Sequence, residues 1–231
     1  IDVKGKLSGA IPREGELTPD TIRSVLGLSP KASAISSSMP LPGRPPQLCK
    51  GCPHDDTYTF IKEVVSELKE SAVMSDIGCY ALGALPPLQV PETIVCMGAS
   101  ITMAKGAAES GMKNVMAVIG DSTFFHSGLT GLVDCVADNA PVTILVLDNS
   151  TVGMTGGQET ILPSERIKQI ALGVGVHPDH VHVVNAHKND HDSNAALLRK
   201  ELDFNGVSLI IPVRECIEYF RKKRKAEKGD N

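Results

Sequence analysis

The chain has 231 residues, 42% of them apolar and 22% charged, with a formal net charge of −4. That balance excludes a disordered chain and gives no sign of a nucleic-acid scaffold; a 3% aromatic content without Trp also argues against a base-stacking surface. No apolar run approaches the ~20 residues that span a bilayer, and the first residues carry no signal-peptide core, so a cytoplasmic protein without membrane or nucleic-acid partners is expected.

Residues 1–47 are expected to form an N-terminal arm and connector. Thr18-Pro19-Asp20 is a helix-start signal ahead of the apolar Ile22, Val25 and Leu26. Residues 29–47 are rich in Ser and Pro, which favours an extended connector. The main domain is expected over 48–220. Its first helix is predicted over 56–69 from the spacing of Phe60, Ile61, Val64, Val65 and Leu68, followed by a short strand over 72–75. Helices are predicted over 99–111 and 124–138. The continuous apolar runs at 115–119 and 142–147 suit strands buried on both faces. A strand near 181–184, a helix over 193–202 and a strand over 207–213 complete the series. Such alternation predicts an α/β fold, a doubly wound and mainly parallel sheet with helices on both faces. Residues 221–231 form a basic tail, with six basic residues and one acidic between Arg221 and Lys228, expected as a solvated helix end or docking tail.

Ligands of such sheets bind beyond the carboxyl ends of the strands. Three polar or Gly-rich segments fall there: Asp76-Ile77-Gly78-Cys79, Gly120-Asp121-Ser122-Thr123, and Asp148-Asn149-Ser150 with the loop through Thr151, Gly153, Met154, Thr155, Gly156 and Gly157. If the strands ending at Gly120-Asp121 and Asp148-Asn149 are neighbours, a carboxylate and an amide face one crevice, hard oxygen ligands suited to Mg²⁺ together with phosphate oxygens. Gly120 would let backbone approach a phosphate, and Ser122, Thr123 and the following helix start would offer donors to an anion. Turn chemistry alone would also place Asp, Asn and Gly at these strand ends.

Six cysteines in a cytoplasmic-looking chain point to thiol or metal chemistry before disulfides. Cys49 and Cys52 form a C-x-x-C ahead of a helix, which fits a redox pair, a zinc half-site or part of an iron–sulfur site. Cys79 and Cys216 follow strands at the same sheet edge, so four thiolates are expected to converge. Cys96 and Cys135 lie in apolar segments and read as inert buried thiols. His54 and His126 are the catalytic candidates, His54 to ligate metal or line the cleft and His126 to face substrate, or each serves only as a structural hydrogen-bonding group. The looser group His177, His180, His182, His187 and His191 reads as loop and strand residues rather than a metal site.

The segments CKGCPHDD, SDIGCYALG, CMGASITMAKG, IGDSTFFHSGL and LDNSTVGMTGGQ, with Asn149 falling 28 residues after Asp121, resemble in order the thiamine-diphosphate-binding part of the indolepyruvate ferredoxin oxidoreductase family. That family lies within the 2-oxoacid:ferredoxin oxidoreductase superfamily. The stretch GKLSGAIPREGELTPD is similar to the region leading into that part, so the resemblance covers nearly the whole chain. It implies thiamine-diphosphate-dependent oxidative decarboxylation of a 2-oxoacid, an aryl pyruvate such as indolepyruvate favoured, to acyl-CoA, with electrons passing through a 4Fe-4S cluster to ferredoxin. By resemblance Asp121, Asn149 and the Thr151 carbonyl hold Mg²⁺. Gly78, Cys79, Gly120, Ser122, Thr123, Gly153, Met154 and Thr155 surround the cofactor, and Cys49, Cys52, Cys79 and Cys216 bind the cluster. Cys216 departs from the pattern in following Glu215. The domain that grips the aminopyrimidine with its activating Glu, and the Cys-rich ferredoxin-like segment, have no counterpart in this sequence. The resemblance therefore implies an oligomer with partner domains or subunits, without which the chain is inactive. A non-redox decarboxylase or synthase of the acetolactate type, and a non-catalytic metal-binding module, are the alternatives.

Overall fold

A computed structural model describes residues 5–15, 17–29, 46–163, 165–227 and 229. The chain divides into two compact units, Ile1–Pro45 and Pro46–Asn231. In the first, helix α1 (Pro19–Val25) starts where the Thr-Pro-Asp signal places it, with the Thr18 side chain accepting from Thr21 N–H at 3.2 Å. Residues 30–45, most of the expected connector, lie outside the described residues.

The second unit is built on strands β1 (Ala72–Ser75), β2 (Thr93–Ile94), β3 (Val115–Gly120), β4 (Val142–Leu147), β5 (Val181–Asn185) and β6 (Ser208–Val213). All pairings are parallel, in the order β2-β1-β3-β4-β6-β5. β3 and β4 are buried at every position, as their unbroken apolar runs require, while edge strand β5 alternates. Helices α3 (Ala99–Glu109), α5 (Leu129–Ala137) and α6 (Glu165–Gly173) cover one face, where Ile101, Leu132 and Ile167 pack on Ala117, Ile144 and Leu209. Helices α2 (Pro53–Glu67) and α7 (His191–Leu202) cover the other, where Tyr58, Ile61, Val64 and Leu198 meet Val73, Met116, Leu145 and Ile210. Each such side chain contributes roughly 1.5–3 kcal/mol through removal from water. The expected fold class is therefore the one observed.

Several boundaries differ from the sequence expectation for local reasons. α2 begins three residues early because Pro53, with its fixed φ and missing N–H, occupies the first turn. The helix expected from 124 starts at Asp121, as α4 (Asp121–Thr123), and widens into a π turn over Phe124–Gly128 before α5. β2 and α6 carried too little pattern to be read, being two residues long in one case and burying only Ile167 and Ala171 in the other. The basic segment has no break at 221: α8 (Ile217–Glu227) runs through that point without a buried residue. Cys96, expected buried, is exposed, whereas Cys135 is buried. Among the described residues no helix is long and apolar enough to cross a membrane.

The histidines of the second half serve the fold. Fully buried Glu201 of α7 is held by His180 Nδ1 at 2.7 Å and His182 Nε2 at 2.9 Å, and His180 stacks on Phe204. His191 bonds Glu63, joining α7 to α2, while His177 and His187 accept from backbone N–H groups two residues on. Replacing Glu201 by Leu leaves both imidazoles facing hydrocarbon, and should lower the unfolding free energy by roughly 1–3 kcal/mol. The loss is read as a lower urea midpoint at unchanged slope, with the exposed Lys168→Ala shifting it by less than about 0.5 kcal/mol.

Candidate functional site

β1 to β2 carries the chain to one sheet edge, and β3 to β4 carries it to the other, so strand order reverses between β1 and β3. Loops leaving the carboxyl ends of such strands part around a crevice. A cavity of about 150 Å³ lies there. It is lined by Gly78 and Cys79 after β1, by Gly120, Asp121, Ser122 and Thr123 after β3, and by Asn149, Thr151, Gly153, Met154 and Thr155 after β4. His54, from the first turn of α2, closes one wall. Every residue expected at the cofactor site thus meets the others around one cavity. His126 does not: it is exposed on the π turn and lies outside the lining.

In-register pairing sets Gly120 opposite Leu147, so the residues just beyond, Asp121 and Asp148, leave the sheet side by side. Asp121 is 4% exposed; its Oδ1 accepts from Ser122 N–H at 2.7 Å and its Oδ2 from Ser150 N–H at 2.9 Å. Burial first, and then the Asp148 carboxylate, push the Asp121 carboxyl up to about 7. A buried acid raised in this way lacks a positive partner. Asn149 Oδ1 accepts from Thr151 N–H at 3.3 Å, which fixes the amide and directs its Nδ2 to His54 Nε2 at 3.2 Å. An amide nitrogen only donates, so Nε2 must be the acceptor and His54 is neutral with its proton on Nδ1. Burial, aided by the Arg214 charge, lowers the His54 pKa to about 4 and favours that form.

Tyr80 is a site residue that the sequence pattern did not mark. A Cβ at Gly78 would come within 2.4 Å of its ring, and one at Gly120 within 2.5 Å. Both glycines are thus required by the close approach of the Tyr80 ring, in addition to any approach to a ligand. Its hydroxyl donates to the Ile77 carbonyl at 2.8 Å and lies 3.3 Å from Thr123 Oγ1, and its ring meets His54 edge-on. Asp76, fully buried, accepts from Ile77, Gly98 and Ser100 N–H groups and ties the β1 loop to the start of α3. A Tyr one residue after Gly-Cys was the only available signal for this packing.

The thiols expected to converge lie at the rim of the same strand ends. A Cβ on Gly153 would lie 3.3 Å from Cys79 Sγ and 3.9 Å from Cys216 Sγ. Cys49 is close enough to feel Cys216, and Cys52 to feel Cys49 and Cys79. Burial raises the Cys52 thiol to about 11 and also raises Cys49 and Cys79, with mutual repulsion adding to the shifts. That is the opposite of the depressed pKa of a reactive dithiol, so the redox-pair reading loses its support. Arg214 fastens this corner: Nη1 bonds Asp56 at 2.5 Å, and Nη2 reaches the Gly51 carbonyl, between Cys49 and Cys52, at 3.2 Å. Among the described residues no three His, Cys, Asp or Glu side chains form a group spaced for a single metal ion.

The family model of the thiamine pyrophosphate enzyme C-terminal TPP binding domain matches residues 76–211, the span from the β1 loop to β6. The indolepyruvate oxidoreductase subunit IorA of Archaeoglobus fulgidus is 34% identical over 98% of this chain and 39% of its own length. The Methanothermobacter thermautotrophicus subunit of the same name is 32% identical over 94% of this chain and 37% of its own. The chain thus spans about two-fifths of the length of these curated relatives. Among solved structures, 2-oxoglutarate:ferredoxin oxidoreductase from Magnetococcus marinus superposes with a TM-score of 0.63 at 17% identity, covering 78% of this chain and 70% of that one. A thiamine-diphosphate-dependent 4-hydroxybenzoylformate decarboxylase from Rhodococcus jostii gives 0.54 at 15% identity, over 86% and 39%. These two likenesses establish the fold. The matches to IorA bear out the resemblance carried by the five sequence segments, and the chain belongs to the family defined by the C-terminal TPP binding domain of thiamine pyrophosphate enzymes.

Proposed function

We propose that this chain is the diphosphate- and cluster-holding part of a thiamine-diphosphate-dependent 2-oxoacid oxidoreductase, with aryl pyruvates such as indolepyruvate as substrates. The observation that carries the reading is the single cavity at the strand reversal, where Asp121 and Asn149 stand on adjacent strand ends among the glycines, hydroxyls and N–H groups of three loops. The bound cofactor supplies the nucleophilic carbon and electron sink that decarboxylation of a 2-oxoacid requires. The protein supplies grip and orientation. Asp121, Asn149 and the Thr151 carbonyl would hold Mg²⁺, and the buried, cation-deficient Asp121 fits that assignment. Gly78, Cys79, Gly120, Ser122 and Thr123 would line the diphosphate, with Gly153, Met154 and Thr155 enclosing it. Neutral His54 orients Asn149 and contributes no charge of its own.

Cys49, Cys52, Cys79 and Cys216 would bind a 4Fe-4S cluster. Each thiolate of such a cluster binds a different iron, so its ligands stand farther apart than those of one ion, in keeping with four thiols that sense one another without closing on a point. Relatives that carry more than twice this length, and a fold neighbour whose name includes ferredoxin, support ferredoxin and coenzyme A as partners of the complete enzyme, an oligomer with a pyrimidine-gripping domain or subunit.

Three outcomes test this reading. Asp121→Asn should weaken Mg²⁺-dependent thiamine diphosphate binding at least tenfold by calorimetry, about 1.4 kcal/mol, with the far-ultraviolet spectrum unchanged; wild-type affinity would falsify the metal assignment. Anaerobically purified chain should be brown with about four irons, and the exposed Cys49→Ser should lose most of them. Colourless protein with zinc would favour a metal-binding module, and cofactor without iron a non-redox decarboxylase. The chain alone should not turn over 2-oxoacids with an artificial electron acceptor, and activity should return with the partner subunits.

A further inference from the structure

Asp148 has no part in the assignments above, yet it occupies an unusual position. It follows the last residue of β4, is 1% exposed, and is fixed through its backbone to β6: its N–H donates to the Pro212 carbonyl and its carbonyl accepts from Arg214 N–H, both at 3.0 Å. Its Oδ1 accepts from Ser150 N–H at 3.0 Å and lies 3.4 Å from Ser150 Oγ. Its Oδ2 is buried with no hydrogen-bond partner. The same Ser150 N–H serves Asp121 Oδ2 at 2.9 Å, so one donor holds an oxygen from each of two buried carboxylates. Among the described residues neither carboxylate forms an ion pair with Lys, Arg or His.

A carboxylate oxygen cut off from water and from every donor is costly unless a cation compensates it. Asp148 and Asp121 share the Ser150 N–H, which sets the orientation of Asp121 with the Asp148 carboxyl group beside it. We propose that Asp148 is a positioning residue of the cation site, orienting Asp121 through the shared Ser150 N–H and raising divalent-cation affinity through its own charge. The inference rests on the reading of Asp121 and Asn149 as cation ligands and adds to it a residue that does not line the cavity. Asn at 148 would keep an acceptor for Ser150 N–H, remove the charge and set an amide NH₂ in place of Oδ2.

The test is Mn²⁺ binding to the full chain with thiamine diphosphate present, followed by the electron paramagnetic resonance signal of free Mn²⁺. Asp148→Asn should raise the Mn²⁺ dissociation constant at least tenfold while the far-ultraviolet spectrum is retained; an unchanged constant overturns the inference. Should this variant not fold, the wild-type chain gives the answer through hydrogen exchange at the Ser150 amide. Mn²⁺ should slow that exchange at least threefold by pinning both acceptors, and an unchanged rate overturns the proposal. Wild-type chain that binds no Mn²⁺ would take down the cation-site reading itself, whereas binding that is indifferent to Asp148→Asn removes only the role given to Asp148.

Discussion

The parallel ladder between β3 and β4 is the constraint on which the candidate site depends. Its register, Val115 opposite Val142 through Gly120 opposite Leu147, leaves no freedom in which residues emerge together at the carboxyl end. A slip by one residue would invert every side chain of β4 between the two helical layers and move Asn149 out of the cavity. Both strands are buried on both faces, so the hydrophobic core that fixes register also fixes the separation of Asp121 from Asn149. Stability and site geometry are one property here. β6 extends the arrangement, since the bridge between Asp148 and Val213 holds the start of the third loop against the sheet.

Around that ladder the site is assembled by packing as much as by polar chemistry. The ring of Tyr80 fills the space that side chains on Gly78 and Gly120 would need, joining the loops after β1 and β3 through an apolar contact before any ligand arrives. Thr123, Ile77 and His54 then meet its hydroxyl and its edge. Asp76 does the equivalent work on the other side of the loop by accepting three backbone N–H groups. A cavity walled in this way is preformed, which lowers the ordering cost of binding.

The sheet and the three cavity loops were legible in the sequence because their signals are local: unbroken apolar runs for β3 and β4, helical spacing for α2 and α3, and Asp, Asn and Gly at strand ends. The residues left unread act through partners distant in sequence. Tyr80 matters because of Gly120, forty residues later, and Arg214 because of Gly51 and Asp56, more than 150 residues earlier. His126 was hard to place for the complementary reason. It sits within a motif-rich stretch, but the π turn that decides where it points depends on backbone hydrogen bonding that residue types alone do not encode. α8 buries nothing and therefore imposes no periodicity to read.

One loop carries two opposed chemical demands. Near Thr151 it borders the oxygen donors of Asp121 and Asn149, which would hold the proposed Mg²⁺. Two residues later, at Gly153, it passes against the sulfurs of Cys79 and Cys216, soft donors, and burial raises the pKa of the Cys79 thiol. A Cβ at 153 would lie 3.3 Å from one sulfur and 3.9 Å from the other, so the loop passes close to both thiols. Cys79 belongs to both as well, since it lines the cavity and lies close enough to Cys216 and Cys49 to feel them. If the four thiols hold the proposed cluster, this shared loop would keep the path between cofactor and cluster short.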